Sequence, residues 1–333
     1  MTKVLRFSCF HQKVYLITDS DKVYDFYMNH IDINPNDKVH FLDVLFPSVN
    51  VSEEKKDICK TDNCVVCMCH FGTKFYHINP NDNFAIISTN EDELNIRDIN
   101  VLLSTILSKK LNLTGKSFLH CSAVEKENGA SVMIGDPGAG KTSLAVYLCR
   151  YFDYNLICND HAIVGIENEN IPYFYSGTLR TALRPGAVNL VAPELLNNIP
   201  SKMLDNPWKV QFELNKYFDD LGIKIGNATF IKNIFFVNVN EKIPSHCKKF
   251  DFNKSYNREL LKIYDFLGEF TRSNGKFLFG INRIFPNFDN EETDSYRQNL
   301  VTCLVEKINI YEISGNIQYV ASKINDLYFN MSK

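Results

Sequence analysis

The feature that most constrains the fold of this chain is a glycine-rich segment, residues 135–142, which reads Gly-Asp-Pro-Gly-Ala-Gly-Lys-Thr. It fits the pattern G-x-x-x-x-G-K-[ST] and stands between an apolar run, SVMI, and an amphipathic stretch, KTSLAVYLCRYF. The apolar run predicts a strand and the amphipathic stretch predicts a helix, which is the context that this pattern requires. We therefore predict a strand, a phosphate-binding loop and a helix in direct succession.

Each residue type in this segment has a physical role in holding phosphate. Gly135, Gly138 and Gly140 allow backbone conformations closed to other residues, so that successive N–H groups can point at an anion. Lys141 would place a positive charge near the outer phosphates, and Thr142 would offer its hydroxyl to Mg²⁺. The N-terminus of the following helix adds partial positive charge. The predicted nucleotide-binding residues are Gly135, Asp136, Pro137, Gly138, Ala139, Gly140, Lys141, Thr142 and Ser143.

Four further side chains are candidates for the same site. Asp160 closes the run NLICND and could hold Mg²⁺ from a strand end, although an aspartate there could also cap a turn. His120, in FLHCS, could be a site residue or a hydrogen-bonded core histidine. Arg180 and Arg184 are four residues apart, which on a helix would place both on one face. They could bind a phosphate or an anionic acceptor there, or they could be surface charge.

The sequence pattern changes near residue 115. Residues 1–114 alternate short strand-like runs with one helical pattern and end in a long amphipathic stretch, EDELNIRDINVLLSTILSKKL. Residues 115–333 contain the glycine-rich segment, a hairpin signal at Asn128-Gly129 and a mixture of strand and helix patterns. We predict an α/β chain, or α+β with a mixed sheet. Its smaller N-terminal α+β domain would recognise an acceptor or mediate assembly into a homo-oligomer, and its larger domain would bind nucleotide.

Composition limits the partners that the chain can have. Its 36 basic and 39 acidic residues leave a net charge of −3, whereas a duplex-binding protein usually carries a basic face. No run approaches the roughly 18 to 20 apolar residues of a membrane helix, and charges are scattered through the start of the chain, where a signal peptide would be apolar. We expect a cytoplasmic protein that binds neither nucleic acid nor membrane.

The ten cysteines are expected to be mostly buried thiols. The alternative is a metal site in the cluster from Cys59 to His70, because Cys64 and Cys67 have the spacing of half a zinc site. No second half with clean spacing follows. The runs NCVVCMCHFG and TKFYHINP are typical of a two-stranded hairpin, which is the preferred interpretation.

Residues 117–166 resemble the catalytic domain of HPr kinase/phosphorylase and of the HPr-kinase-like proteins of peptide-modification clusters, including lasso-peptide precursor kinases. The resemblance rests on a histidine in the strand before the loop (FLHCSAV), on the loop itself, and on the strand end NLICNDHAIV. It implies a catalytic domain similar to phosphoenolpyruvate carboxykinase, with ATP and Mg²⁺ as cofactors. It also implies that His120 lies near the phosphates or the acceptor.

The chain departs from this family at one position. The family's two successive aspartates align with Asn159 and Asp160, and an amide cannot take a proton from an acceptor hydroxyl. The general base that accepts the hydroxyl proton would then be His120 or His161, or no residue would act as a base. We predict an ATP-dependent kinase acting on a serine of a peptide or protein, and Asn159→Asp should raise transfer if a base is limiting. The alternatives are a small-molecule kinase and a non-kinase ATP-binding or ATPase switch module.

Overall fold

The computed structural model describes residues 3–10, 12–31, 48–51, 63–69, 75–80, 83–127, 129–200, 212–250, 252–272, 277–278, 283–284 and 286–329. Contacts between residues divide this part of the chain into two units. The first unit comprises described residues of 3–118 and 264–299, and the second comprises those of 119–263 and 300–329. Residues 264–299 thus group with the first unit, whereas the predicted division assigns all of 115–333 to one domain.

The first unit is built on a six-stranded mixed sheet. Its strands are β1 (Lys3–Cys9), β2 (Gln12–Thr18), β3 (Ser48–Val51), β4 (Cys64–Met68), β5 (Phe75–Asn79) and β6 (Phe84–Ser88), in the order β3-β1-β2-β4-β6-β5. Strands β2, β4 and β6 are parallel. Two helices accompany the sheet, α1 (Asp21–Ile31) and α2 (Ile96–Asn112). Most apolar residues of α2 recur at helical spacing on a fully buried face, which explains why this stretch is helical. They are Ile99, Leu102, Leu103, Ile106, Leu107 and Leu111.

Strand pairing shows that the predicted hairpin of β4 with β5 is wrong. β4 pairs in parallel with β2 and β6, and β5 pairs antiparallel with β6, so β6 lies between the two strands. The hairpin is formed instead by β5 and β6. Its turn contains Asn83 with a φ of 53°, a left-handed conformation that asparagine tolerates better than most residues.

The geometry of β4 also bears on the cysteine cluster. Side chains alternate between the two faces of a strand, so Cys64 and Cys67, three residues apart, point to opposite faces. Both are buried, and Cys64 packs with Val4 and Ile17. Two side chains on opposite faces of a sheet cannot share one ion, which agrees with the preferred interpretation of a buried strand. Cys59 and His70 lie outside the described residues.

The remaining elements follow in chain order. The strands are β7 (Lys116–His120), β8 (Ser122–Lys126), β9 (Gly129–Ile134), β10 (Asn155–Cys158), β11 (His161–Glu167), β12 (Ile171–Gly177), β13 (Ala182–Leu183), β14 (Phe212–Glu213), β15 (Thr229–Val239), β16 (His246–Lys249), β17 (Phe277–Leu278), β18 (Arg283–Ile284) and β19 (Asn309–Gly315). The helices are α3 (Lys141–Phe152), α4 (Pro185–Val191), α5 (Phe252–Leu267), α6 (Glu291–Lys307) and α7 (Ile317–Phe329). None of the helices in the described part of the chain combines the length and the apolar character needed to cross a bilayer.

The second unit contains a nine-stranded mixed sheet. Its main path is β10-β8-β9-β15-β12-β11-β7; β19 pairs with β15, and β16 pairs with β19. The central strands β9, β15 and β19 are parallel. Met133, Phe235 and Ile313 from these three strands lie in one core with Leu144 of α3 and Val320 of α7. This core holds the end of β9 and the start of α3, and therefore the segment that joins them.

The predicted hairpin before the glycine-rich segment is confirmed. β8 and β9 are antiparallel with Lys126 opposite Gly129, so the turn begins one residue earlier than the predicted Asn128-Gly129 pair. Glu127 has a φ of 48°, and Asn128 lies outside the described residues. The run FLHCSAVEK, predicted as one strand, is divided at Cys121 into β7 and β8, because β7 pairs with β11 and β8 with β9 and β10.

Candidate functional site

The glycine-rich segment connects β9 to α3, as the sequence predicts. Gly138 and Gly140 have φ values of 86° and 85°, in the left-handed region that other residues avoid. A Cβ at Gly135 would lie 2.7 Å from the carbonyl oxygen of Val237, and a Cβ at Gly140 would lie 2.7 Å from the Cβ of Val239. Strand β15 thus packs so closely against the loop that Gly135 and Gly140 have no room for a side chain.

Helix α3 begins directly after the loop and is not capped by a side chain. Its N-cap residue is Gly140, and its first intrahelical bond runs from the Leu144 N–H to the Gly140 carbonyl at 2.9 Å. The N–H groups of the preceding turn do not enter such bonds, and with the helix dipole they favour an anion. Lys141 is only 8% exposed, and its ammonium donates to the Gly135 carbonyl at 2.7 Å. The lysine therefore lies folded over the loop.

A cavity of about 310 Å³ lies beside the loop, entirely within the second unit. The loop and the start of α3 line one part of it, and the ends of β7 and β10 with the β13–α4 segment line the rest. The lining residues are His120, Pro137, Gly138, Ala139, Gly140, Lys141, Thr142, Ser143, Asn159, Asp160, Ala182, Leu183, Arg184 and Ala187. The fold thus brings together most of the predicted site. The predicted residues Gly135, Asp136, His161 and Arg180 are not among those that line the cavity.

Asp160 contacts two histidines. It follows β10, while His120 ends β7 and His161 begins β11. The Asp160 Oδ2 lies 3.0 Å from His161 Nδ1, and its Oδ1 lies 3.5 Å from His120 Nε2. The two imidazole rings are 4.9 Å apart. Because the Asp160 side chain is 52% exposed while both histidines are more buried, its carboxylate remains accessible to a ligand in the cavity.

Asn159 forms part of the cavity wall. The residue is 6% exposed. Its Nδ2 donates to the Arg180 carbonyl at 2.8 Å, and its Oδ1 accepts from the Ser122 hydroxyl at 3.3 Å. The Asn159 amide thus donates to a backbone carbonyl, and its oxygen lies within hydrogen-bond distance of a hydroxyl.

Arg180 and Arg184 do not share a helix face, so that expectation is wrong. The chain between them forms β13, and Arg184 is extended, with φ −71° and ψ 152°. The reason lies in Pro185, which begins α4, because the residue before a proline is pushed out of the helical region. Arg180 pairs with Glu213 at 3.2 Å. Only Arg184 lines the cavity.

Two thiols lie behind the site. Cys121 and Cys158 are both fully buried, and the Cys158 thiol donates to the Cys121 carbonyl at 3.6 Å. The Cys121 N–H donates to the Asp160 carbonyl at 3.0 Å. Burial raises the pKa of the Cys121 thiol well above its ordinary value, and contact with Cys158 raises it further. Since only a thiolate is a good nucleophile, we assign this thiol a packing role.

Sequence reasoning missed part of the cavity wall. Ala182, Leu183 and Ala187 line it, and no local pattern marks them, because only the pairing of β13 with β14 and the start of α4 position them. The bond between Asn159 and Ser122 was also missed, since it joins positions 37 residues apart.

No protein-family model matches the chain, and neither does any curated protein. Among solved structures, one similar chain is described as "Structure of the Hpr(Ser) kinase/phosphatase from Coxiella burnetii". It is 12% identical, and the match covers 65% of this chain and 95% of that chain with a TM-score of 0.29. A TM-score of that size is too low to establish a common fold.

Proposed function

We propose that the protein is an ATP-dependent kinase that transfers the γ-phosphoryl group of ATP to a hydroxyl group, most simply a serine of a peptide or protein. One observation carries the proposal: the glycine-rich loop shares a single cavity with His120, Asp160 and Arg184. A loop alone would suit any nucleotide-binding protein, whereas a carboxylate and a histidine facing the same cavity supply the groups that transfer needs. The peptide acceptor is suggested by the resemblance of residues 117–166 to HPr-kinase-like proteins.

The loop residues would bind the phosphates of the nucleotide. The left-handed glycines, Gly138 and Gly140, shape the backbone, and the start of α3 adds N–H donors with the positive end of the helix dipole. Lys141 would exchange its bond to the Gly135 carbonyl for one to a phosphate oxygen. Arg184, across the cavity, offers a planar guanidinium suited to a phosphate or to an anionic acceptor.

Thr142 and Asp160 would hold Mg²⁺. Hydroxyl and carboxylate oxygens are ligands that this ion prefers, and both side chains line the cavity. When bound, the ion would supply positive charge that neutralises the phosphates. Asp160 fits this task because its exposed carboxylate is already held in place by contacts with His120 and His161.

An acceptor hydroxyl would enter beside His120. In the transfer, a bond forms between the hydroxyl oxygen and the γ-phosphorus, the bond to the bridging oxygen of ADP breaks, and ADP leaves. The hydroxyl proton would pass to the His120 imidazole, and the Asp160 carboxylate, with Oδ1 3.5 Å from His120 Nε2, would stabilise the imidazolium that forms. Such a pair can suffice without a carboxylate at Asn159, because the loose transition state of phosphoryl transfer depends mainly on positioning and charge neutralisation.

The amide at Asn159 favours one alternative, an ATP-hydrolysing or ATP-binding switch module, because it removes the family's candidate base. The first unit remains the predicted site of acceptor recognition or of assembly into a homo-oligomer. A small-molecule hydroxyl remains the second predicted class of acceptor.

The test is transfer of label from γ-labelled ATP, with Mg²⁺, to serine-containing peptides, proteins and a pool of small hydroxyl compounds. Label on a peptide or protein supports the proposal. Label on a small molecule would instead identify a small-molecule kinase. Release of free phosphate alone contradicts the proposal in favour of the switch. Asp160→Asn should lower transfer by at least about 100-fold, and chelation of Mg²⁺ should abolish it. Asp153→Asn, at an exposed ion pair with Lys224, is the matched control and should leave transfer unchanged.

A further inference from the structure

We infer that Asn159 is a positioning residue. Its carboxamide holds the segment 178–184, which carries Arg184 to the cavity, against the turn that carries Asp160. The role of this contact in transfer rests on the proposed function, whereas its role in the fold does not. Asn159 and Arg184 both line the cavity, and Asn159 is hydrogen-bonded to Thr178 and Arg180, in the segment that ends at Arg184.

Four hydrogen bonds join this turn to the segment. The Asn159 N–H donates to the Thr178 carbonyl at 2.8 Å, and the Thr178 N–H donates to the His161 carbonyl at 2.9 Å. The His161 N–H donates to the Thr178 hydroxyl at 3.1 Å. The fourth is the bond from Asn159 Nδ2 to the Arg180 carbonyl at 2.8 Å. Of these four bonds, the one from the Asn159 side chain reaches the residue nearest to Arg184 in sequence.

The surroundings of Asn159 fix the orientation of its amide. The Arg180 carbonyl can only accept a hydrogen bond, so the NH₂ group must face it. The oxygen then faces the Ser122 hydroxyl, whose one proton can go to this oxygen or to the Asn159 carbonyl, both at 3.3 Å. With 6% of the residue exposed, water has little access to replace the bond to the Arg180 carbonyl. The position therefore needs a side-chain donor facing that carbonyl, which an ionised carboxylate cannot provide.

Asn159→Asp tests this requirement because the two side chains have nearly the same shape. Ionised, the introduced carboxyl would set an oxygen against the Arg180 carbonyl. The introduced carboxylate would therefore leave the Arg180 carbonyl without its donor, and the contact between the turn and the segment 178–184 should weaken.

The first measurement is the midpoint of thermal unfolding of wild type and Asn159→Asp at about pH 7. We expect the midpoint of Asn159→Asp to lie several degrees lower, because the Arg180 carbonyl loses its donor. Asn227→Asp places the same charge change at an exposed residue and should leave the midpoint unchanged. Equal midpoints in wild type and Asn159→Asp would overturn the inference. This readout needs neither ATP nor an acceptor.

The second measurement is transfer by the same variants. Asn159→Asp should transfer at least about 10-fold more slowly than wild type at about pH 7, with kcat affected more than KM for ATP. Faster transfer than wild type, as expected from sequence alone if a base were limiting, would overturn the positioning role and leave the kinase proposal intact. If wild type transfers no label, the proposed function fails. The unfolding midpoints still decide whether Asn159 holds the segment 178–184 in place.

Discussion

The two units each place a helix N-terminus at the carboxyl end of a parallel strand, and they treat it differently. In the first unit β2 leads into α1, and in the second β9 leads into α3. The first junction consists of Asp19 and Ser20, whereas the second consists of residues 135–140. Carboxyl ends of parallel strands are common places for ligand sites, so both junctions have the same general potential.

Side chains of the chain itself occupy the junction in the first unit. Ser20 Oγ accepts from the Val23 N–H at 3.1 Å, and the Glu91 carboxylate accepts from the Lys22 N–H at 3.2 Å and from the Ser20 hydroxyl at 2.5 Å. The start of α1 is thus already neutralised by an internal anion. At α3 the cap is Gly140, which has no side chain, and a cavity lies beside it. A strand end becomes a candidate site where the chain leaves the helix N-terminus uncapped and gives it room.

The largest expected effect concerns the lysines at the two junctions. Lys141→Ala removes the cation of the second junction, and we expect transfer of label from ATP to fall by at least about 100-fold. Lys22→Ala is the matched change at the start of α1 and should alter transfer less than about twofold, since Glu91 already serves that helix end. Initial rates of label transfer decide this. Comparable losses in both variants would mean that the two junctions do not differ as described.

A smaller effect should separate two glycines of the second junction. Gly140→Ala combines a left-handed φ with a Cβ placed 2.7 Å from that of Val239, so it should lower the free energy of unfolding by about 2–4 kcal/mol. Gly138→Ala has a similar φ but open space around its Cβ, and should cost only about 1–2 kcal/mol. Urea unfolding of both variants measures the difference. Equal costs would show that β15 can yield at Val239.

The smallest effect concerns the internal anion of the first junction. Hydrogen bonds from the Ser20 hydroxyl and the Lys22 N–H lower the pKa of Glu91. A lowered folded pKa contributes stability that is present above the ordinary value of about 4.3 and is lost as pH falls through the lowered value. Glu91→Gln should therefore lower stability at neutral pH by less than about 1 kcal/mol, because the carboxylate is exposed, and should flatten the acid limb of the stability profile.

Unfolding midpoints measured from about pH 3 to about pH 7 would show this change in Glu91→Gln. Glu241→Gln, at an exposed residue, is the control for loss of an acidic side chain elsewhere. An acid limb in Glu91→Gln as steep as in wild type would show that the carboxylate does not stabilise the start of α1.

What the sequence could predict was mostly local. The loop at 135–142 follows from residue types at fixed spacing, and α2 follows from apolar residues at helical spacing. β6 lies between β4 and β5 because it pairs in parallel with β4. Parallel pairs are not joined by a tight turn, so no local turn signal predicts them. Pro185 is the sequence signal that Arg180 and Arg184 do not share a helix, because the residue before a proline avoids the helical conformation.

The cavity itself was only partly predictable. His120, Lys141 and Asp160 could be chosen by residue type and by distance along the chain from the loop. Whether they face one cavity depends on how β7, β10 and β11 pair, which the sequence does not state. The role of Asn159 depends on the Arg180 carbonyl. Every residue has a backbone carbonyl, so the sequence does not indicate which one Asn159 contacts.

In the proposed function, the bond between the Lys141 ammonium and the Gly135 carbonyl would make nucleotide binding an exchange of hydrogen-bond partners. A ligand that draws the ammonium away from the Gly135 carbonyl must compensate for this internal bond, so an anion with few oxygens within reach gains less. A triphosphate offers several charged oxygens at once and can outcompete a single carbonyl. The loop should therefore bind a nucleoside triphosphate with higher affinity than inorganic phosphate or a monophosphate.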